Sequence, residues 1–356
     1  MLNFTVGPVM SEEEVLKVGG ESSPYFRTPE FSEVMLENEK LMLEFLNAPE
    51  NSRCVFLTTS GTGAMESCVM NLLNDSDKVL VVNGGSFGHR FVELCKLHKR
   101  NYTEITVEFG HQLKQEQLEP YEDKGYTAFL VNMDETSSGT LYDMNLISDF
   151  CNRNHIFLIV DAISAFITDH LDMTELNAGA VITGSQKALA VHPGISVIAL
   201  SPEAIARVEK NEEVCMYLSL RQALKNGERG QTPFTPAVTT LLEINARLRN
   251  IKERGFENEQ RAAAERAEDF RNFIKDFPFE FVSESMSNCV TALHPLHVGA
   301  KSIIEHMKKD YQIWLCPNGG EKADEVFRVG HIGAITKENM DTLKAAFTDM
   351  MKKNLL

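Results

Sequence analysis

The chain has 356 residues, enough for one large or two moderate domains with a substantial core. Hydrophobic residues make up 43% and charged residues 24%, and a net charge of −16 argues against nucleic acid or an anionic membrane as a main partner. No apolar run is long enough to span a bilayer, and the stretch Met1–Pro8 lacks the basic and apolar regions expected of a signal peptide. The 7 scattered cysteines include no C-x-x-C pair, so the expectation is a reducing cytoplasm with neither a disulfide framework nor a zinc site.

Residues Met1–Glu21 read as an extended arm with an early turn at Gly7-Pro8, followed by a short helix. An irregular aromatic stretch, Pro24–Phe31, carries Arg27, and Phe31–Leu46 has helical periodicity. Strands and helices then alternate. Strands are predicted at Cys54–Thr59, Lys78–Asn83, Tyr102–Val107, Ala128–Asn132, Phe157–Val160, Ala178–Thr183 and Ile195–Leu200. Helices are predicted at Ala64–Leu73, Phe87–Lys96, Gln115–Pro120, Leu146–Asn154 and Pro202–Lys210. Repeated β–α units imply a mainly parallel sheet with helices on both faces. A long helical stretch, Val238–Phe273, follows and could link two domains. Beyond Pro278 the pattern changes to a smaller α+β unit, with strands at Phe279–Val282, Val290–Leu293 and Val326–Val329 and helices at Ala300–Lys309 and Lys337–Lys352.

The chemistry concentrates in Val181–Ala190. Lys187 follows a short apolar strand that breaks at Gly184, whereas most lysines occupy solvated helix faces. In a partly dry pocket its ammonium loses proton affinity, and a neutral amine attacks carbonyls to form a Schiff base. A loop lysine reaching back to water is the bland alternative. Upstream, Phe157–Val160 runs into Asp161 at the carboxyl end of a strand, where open α/β sheets bind ligands. A carboxylate there suits a pyridinium nitrogen, and equally an ordinary helix N-cap. Together the two residues make pyridoxal phosphate chemistry the leading idea.

Three turns and an arginine add to it. Ser60-Gly61-Thr62-Gly63 joins strand to helix with the small residues that let backbone N–H groups approach a phosphate, although many α/β turns look like this. Asn83–Gly88 is similar and resembles a dinucleotide turn without the full G-x-G-x-x-G. Phe87 there is placed to stack on a cofactor ring or simply to pack in the core. Asp134–Gly139 places Thr136 near a ring oxygen, or serves as a polar turn. Arg328, between apolar residues at the end of a strand, suits bidentate capture of a carboxylate, or a structural ion pair.

With Ser60–Glu66, Asp161 and Ser185-Gln186-Lys187 in hand, the sequence resembles the class V, fold type I aminotransferases. It looks most like the alanine–glyoxylate, serine–pyruvate and 2-aminoethylphosphonate–pyruvate transaminases. The resemblance runs from Val6-Gly7-Pro8 to Arg328-Val329-Gly330. It implies an arm (residues 1–20), a large domain (21–255) on a mainly parallel, seven-stranded type of sheet, and a small α+β C-terminal domain (256–356). It implies that Lys187 holds pyridoxal phosphate and shuttles a proton, and that Asp161 meets the ring nitrogen. Phe87 would stack on the ring, Thr136 lie near its oxygen, and Ser60, Gly61, Thr62 and Gln186 lie at the phosphate. Thr232 and Thr235 would reach the phosphate of a neighbouring subunit in an obligate homodimer, although some relatives have Tyr at the first position. Arg328 would grip the substrate carboxylate, with Gly7 beside it. Arg27 is open between a second anion contact and a structural pair. The expected activity is transamination between a small amino donor and a 2-oxo acid such as pyruvate or glyoxylate. A 2-aminoethylphosphonate transaminase is the alternative, and a same-fold lyase or cysteine desulfurase the further one.

Overall fold

The computed structural model describes residues 1–356. Its strands are β1 (Leu2–Phe4), β2 (Arg53–Leu57), β3 (Lys78–Asn83), β4 (Asn101–Thr106), β5 (Ala128–Asn132), β6 (Asp134–Glu135) and β7 (Thr140–Leu141). They continue with β8 (Phe157–Asp161), β9 (Ala178–Gly184), β10 (Ser196–Leu200), β11 (Phe279–Phe281), β12 (Val290–Pro295), β13 (Ile313–Pro317) and β14 (Phe327–Gly330). Seven form one sheet in the order β2-β10-β9-β8-β5-β3-β4. Only β10 runs against its neighbours, so the sheet is mixed but mostly parallel.

Strands β5, β8, β9 and β10 are buried at every residue, as apolar runs covered on both faces must be. Successive side chains point to opposite faces. Leu80 and Val82 therefore join a core of 52 buried residues on one face, and Val79 and Val81 join one of 27 on the other. At about 25 cal/mol per Å2 of apolar surface, these two layers supply most of the drive for folding.

A second sheet, β1-β13-β14-β12-β11, carries its own cluster of 19 buried residues, including Phe4, Phe270, Phe327 and Phe347. The N-terminal arm is thus a strand, with Leu2–Phe4 pairing in parallel with Ile313–Leu315. The long helical stretch expected over 238–273 is helical but broken into two helices, Val238–Arg254 and Phe256–Ile274. Gly255 separates them at φ +91°, a left-handed geometry that ends a helix and costs other residues strain. The sequence reading also omitted β13 and the helix Leu220–Gly227.

Candidate active site

The parallel strands deliver Asn83, Asn132, Asp161 and Gly184 to one carboxyl edge, and the site is built there. Past Gly184 the chain folds into a tight loop: the Ser185 N–H donates to Ile195 O at 2.9 Å, its hydroxyl to His192 O at 2.7 Å, and the Ala190 N–H to Lys187 O at 2.8 Å. Gln186 folds back over Gly184, where a Cβ would sit 2.9 Å from its Oε1. Lys187 is left only 9% exposed. Its Nζ has no carboxylate partner and lies 5.8 Å from the Phe87 ring centroid. Burial pulls its amine below the usual lysine range, and Arg328 adds to this against an opposing pull from Asp134. Gly7 covers the stem: at φ +126°, a Cβ there would meet Lys187 Cδ at 2.8 Å.

Asp161 is 5% exposed and held on both oxygens, accepting from the Ile163 N–H at 2.9 Å and Asn132 Nδ2 at 2.5 Å. Burial pushes its carboxyl up to about 6, against those two bonds and the charge of Lys187. Its role as the cap of a regular helix is not used: residues 162–177 form turns. The Asn132 Oδ1 is buried without a partner.

Thr136 is buried, with its hydroxyl 2.6 Å from Ser164 Oγ. Ser60 precedes the helix Gly61–Leu72 without capping it, so the first N–H groups of that helix are left for another acceptor. Gly61 packs on the side chain of Ile163, which would have to turn aside for a Cβ there. Thr62 Oγ1 accepts from Arg90 at 3.1 Å, and the Arg90 guanidinium lies 4.9 Å from the Phe87 ring centroid.

Glu135 was not singled out from the sequence, yet it orders much of the site. It is 1% exposed and accepts from the N–H groups of Phe87 at 3.1 Å and Gly88 at 2.9 Å, and from the Ser137 hydroxyl. Its carboxylate fills the N-terminus of the helix Ser86–Leu97, the position a dinucleotide phosphate would need. Asp134 is also buried; its Oδ2 meets the Ser287 hydroxyl at 2.6 Å and its Oδ1 has no partner.

Arg328 enters from β14. Its amino groups donate to Thr136 O at 3.0 Å and Pro317 O at 2.6 Å, and its buried Nε has no partner. The structure brings Arg328, Thr136, Lys187, Phe87 and Asp161 into one neighbourhood. Arg27 is otherwise engaged, donating to Gln231 Oε1 at 3.1 Å, Thr232 O at 2.8 Å and Pro233 O at 3.2 Å. Thr232 is buried, its hydroxyl donating to Phe234 O at 2.8 Å, whereas Thr235 is exposed. Cys316 lies within β13, paired opposite Arg328 on β14, and not on a free loop.

The residues fit pyridoxal phosphate: an unpaired buried amine, an aromatic face, a carboxylate, an uncapped helix N-terminus, and the orphaned polar atoms of Asn132 and Arg328. An α/β sheet with these groups at its carboxyl edge defines a fold type I amino-group transferase. The chain belongs to the class-V aminotransferases, whose family model matches residues 15–314. It is accordingly an enzyme that moves an amino group between an amino donor and a 2-oxo acid. An uncharacterized aminotransferase of Methanocaldococcus jannaschii is 30% identical over 95% of this chain and 89% of that protein. The L-aspartate–glyoxylate aminotransferase of Paracoccus denitrificans is 27% identical over 94% of this chain and 86% of its own length. The aspartate aminotransferase of Thermus thermophilus superposes with a TM-score of 0.92 at 25% identity, covering 99% of both chains.

Proposed function

We propose that this chain binds pyridoxal phosphate through Lys187 and transfers the amino group of a small amino acid, such as alanine, serine or aspartate, to glyoxylate or pyruvate. The buried, unpaired amine of Lys187 carries the proposal. The Paracoccus relative, by its name, supports glyoxylate as acceptor. We place the enzyme in the cytoplasm as a homodimer. No helix is long and apolar enough to cross a membrane.

When bound, the cofactor supplies an electron sink that makes the substrate Cα–H acidic. Lys187 Nζ, whose amine burial pulls below the usual lysine range, would take the substrate Cα proton and hold it for return. Asp161, fixed by Asn132 and the Ile163 N–H, would meet the ring nitrogen, where its charge would favour a bound proton. Phe87, whose ring centroid lies 5.8 Å from Lys187 Nζ, would hold the ring from one face. Ser60, Gly61 and Thr62, with Gln186, would hold the phosphate at the open helix N-terminus, and Arg90 would add positive charge through Thr62. Thr136 would lie near the ring oxygen, and Thr232 and Thr235 would reach towards a neighbouring subunit. Arg328 orients the substrate carboxylate with its free Nε, beside Gly7. Arg27, with three acceptors of its own, is a structural strut and leaves the distal end of the site without its charge.

The test is to load the purified protein with pyridoxal phosphate and add alanine, serine, aspartate and 2-aminoethylphosphonate one at a time. One amino acid should bleach the visible band of the bound cofactor, and glyoxylate or pyruvate should restore it. A response to the phosphonate alone would overturn the donor class. Lys187→Ala should lose both the band and turnover, and substantial residual transamination would remove Lys187 from its role.

A further inference from the structure

A half-open pocket of about 290 Å3 lies on the far side of the lysine loop, where Arg247, Arg254 and Arg266 meet Glu12 and Glu259. Ala188, next to Lys187, and Ile332, just beyond Arg328, form part of its wall. Three guanidiniums face two carboxylates, so the group carries one net positive charge. The pairing is uneven. Arg247 donates to Glu12 at 3.1 Å and to Glu259 at 2.7 Å, and Arg254 donates to Glu12 at 2.7 Å. Arg266 has no acid partner, and its single hydrogen bond runs from Nε to the His331 carbonyl at 2.9 Å.

A half-buried guanidinium with two free amino groups beside a cavity is an anion receptor waiting for its counter-charge, since buried charges are ordinarily paired. Arg247 strengthens the case: it is 4% exposed and its Nε is buried without an acceptor. The opposite wall is apolar, with Ile167, Ala188, Ala263 and Ile335. A strongly hydrated inorganic ion gains nothing from that wall, whereas a short hydrocarbon tail does.

We infer that this pocket is a second binding site, separate from the catalytic one, for a short aliphatic monocarboxylate whose anionic end pairs with Arg266. Such a ligand spans two parts of the molecule. Arg247 stands on the helix Val238–Arg254, which packs on the helices Glu13–Gly19 and Pro29–Phe45. Arg266 stands on Phe256–Ile274, which packs on the C-terminal helix Lys337–Lys352. The ligand therefore braces the chain across the break at Gly255.

Butyrate is a suitable probe because it has no amino or oxo group to react. Binding is measured by titration calorimetry and by the butyrate-dependent rise in Tm, on the cofactor-loaded Arg328→Met protein, which weakens carboxylate binding at the catalytic site. One saturable butyrate site per chain is expected. Its affinity should fall at least tenfold when Arg266→Met is added. Ala262→Leu, which keeps the guanidinium and fills the space, should have the same effect and covers the case in which loss of Arg266 impairs folding. Absence of saturable binding, or binding that survives both substitutions, would overturn the site. Chloride protecting as well as butyrate would overturn the carboxylate class.

Discussion

Asp134 sets a proton problem at the heart of the site. The one hydroxyl of Ser287 lies 2.6 Å from Asp134 Oδ2 and 3.1 Å from Asp169 Oδ2. A hydroxyl donates once, so with both acids ionised one contact would oppose two lone pairs. A proton on Asp134 resolves this, because Asp169 has the Asn288 N–H as a further donor at 3.1 Å. Burial pushes the Asp134 carboxyl from 3.8 up to about 7, with Asp169 and Glu135 adding to the effect and Ser287 and Lys187 opposing it. Between these values the folded chain keeps a proton that the unfolded chain has released. Stability from this group is therefore full at low pH, is lost as pH rises through about 4 to 7, and changes no further above that. Asp134→Asn removes the ionisation, so relative to wild type it should gain a few kcal/mol, on that order, between pH 5 and pH 8. Urea unfolding of both proteins at the two pH values checks this, and an equal difference at both would refute it. At Arg328 the expectation concerns substrate. Loss of charge-assisted hydrogen bonds of roughly 1.5–3 kcal/mol should raise KM for carboxylate substrates about 10- to 150-fold in Arg328→Ala. Steady-state kinetics with the best donor measures it, and an unchanged KM removes Arg328 from the site.

The hairpin β6–β7 controls the next level up. Glu135 on β6 satisfies two N–H groups at the start of the helix Ser86–Leu97, 48 residues back in the chain, and so sets the direction in which Phe87 leaves the sheet. In Glu135→Gln one oxygen becomes an NH2 group that faces donors. The cost should be about 1–3 kcal/mol, seen as a lower Tm, and the near-ultraviolet circular dichroism of bound cofactor should change as Phe87 shifts. An unaltered Tm would show that the helix start does not depend on Glu135. None of this long-range pairing is written in local sequence, where 134–139 reads only as a polar turn. Elements with strong local signals were legible to the residue: Pro202–Lys210 opens with Pro after a Ser cap, and Lys337–Lys352 follows a Thr336 capping box. Lys187, Asp161 and Arg328 were legible because each interrupts an apolar strand or its end. The break at Gly255 was not, because apolar periodicity continues on both sides of it and only the positive φ reveals the stop. Nor was β13, whose Ile-Trp-Leu-Cys-Pro alternates inward and outward beside a strand from the opposite end of the chain.

At the scale of the whole molecule, the surface beside Thr58, just before the Ser60–Gly63 turn, is unfinished. Met216 is 75%, Val214 53% and Tyr217 53% exposed, and Tyr217 stacks on Phe234 with centroids 5.5 Å apart. Phe234 lies between Thr232 and Thr235, and the adjoining hollow of about 600 Å3 is lined by Glu213, Val214, Met216 and Pro233. A chain with a charge of −16 keeps apolar side chains together in the open at a cost, and a contiguous patch of this kind marks an interface. A second copy of the chain covering this patch would bury Val214, Met216 and Tyr217 together with the exposed Thr235. The wild-type protein should therefore sediment as a dimer, with a Tm that rises with protein concentration. Met216→Glu places an unpaired charge in the contact and forfeits a buried side chain worth roughly 1.5–3 kcal/mol per copy, so the dimer should weaken by at least tenfold. Because the patch borders the Ser60–Gly63 turn proposed to hold the phosphate, the dissociated variant should also lose cofactor faster on dialysis, although none of the proposed cofactor residues has changed. A wild-type protein that sediments as a monomer, or a Met216→Glu dimer as tight as wild type, would place the interface elsewhere and leave Thr232 and Thr235 as purely local features of their loop.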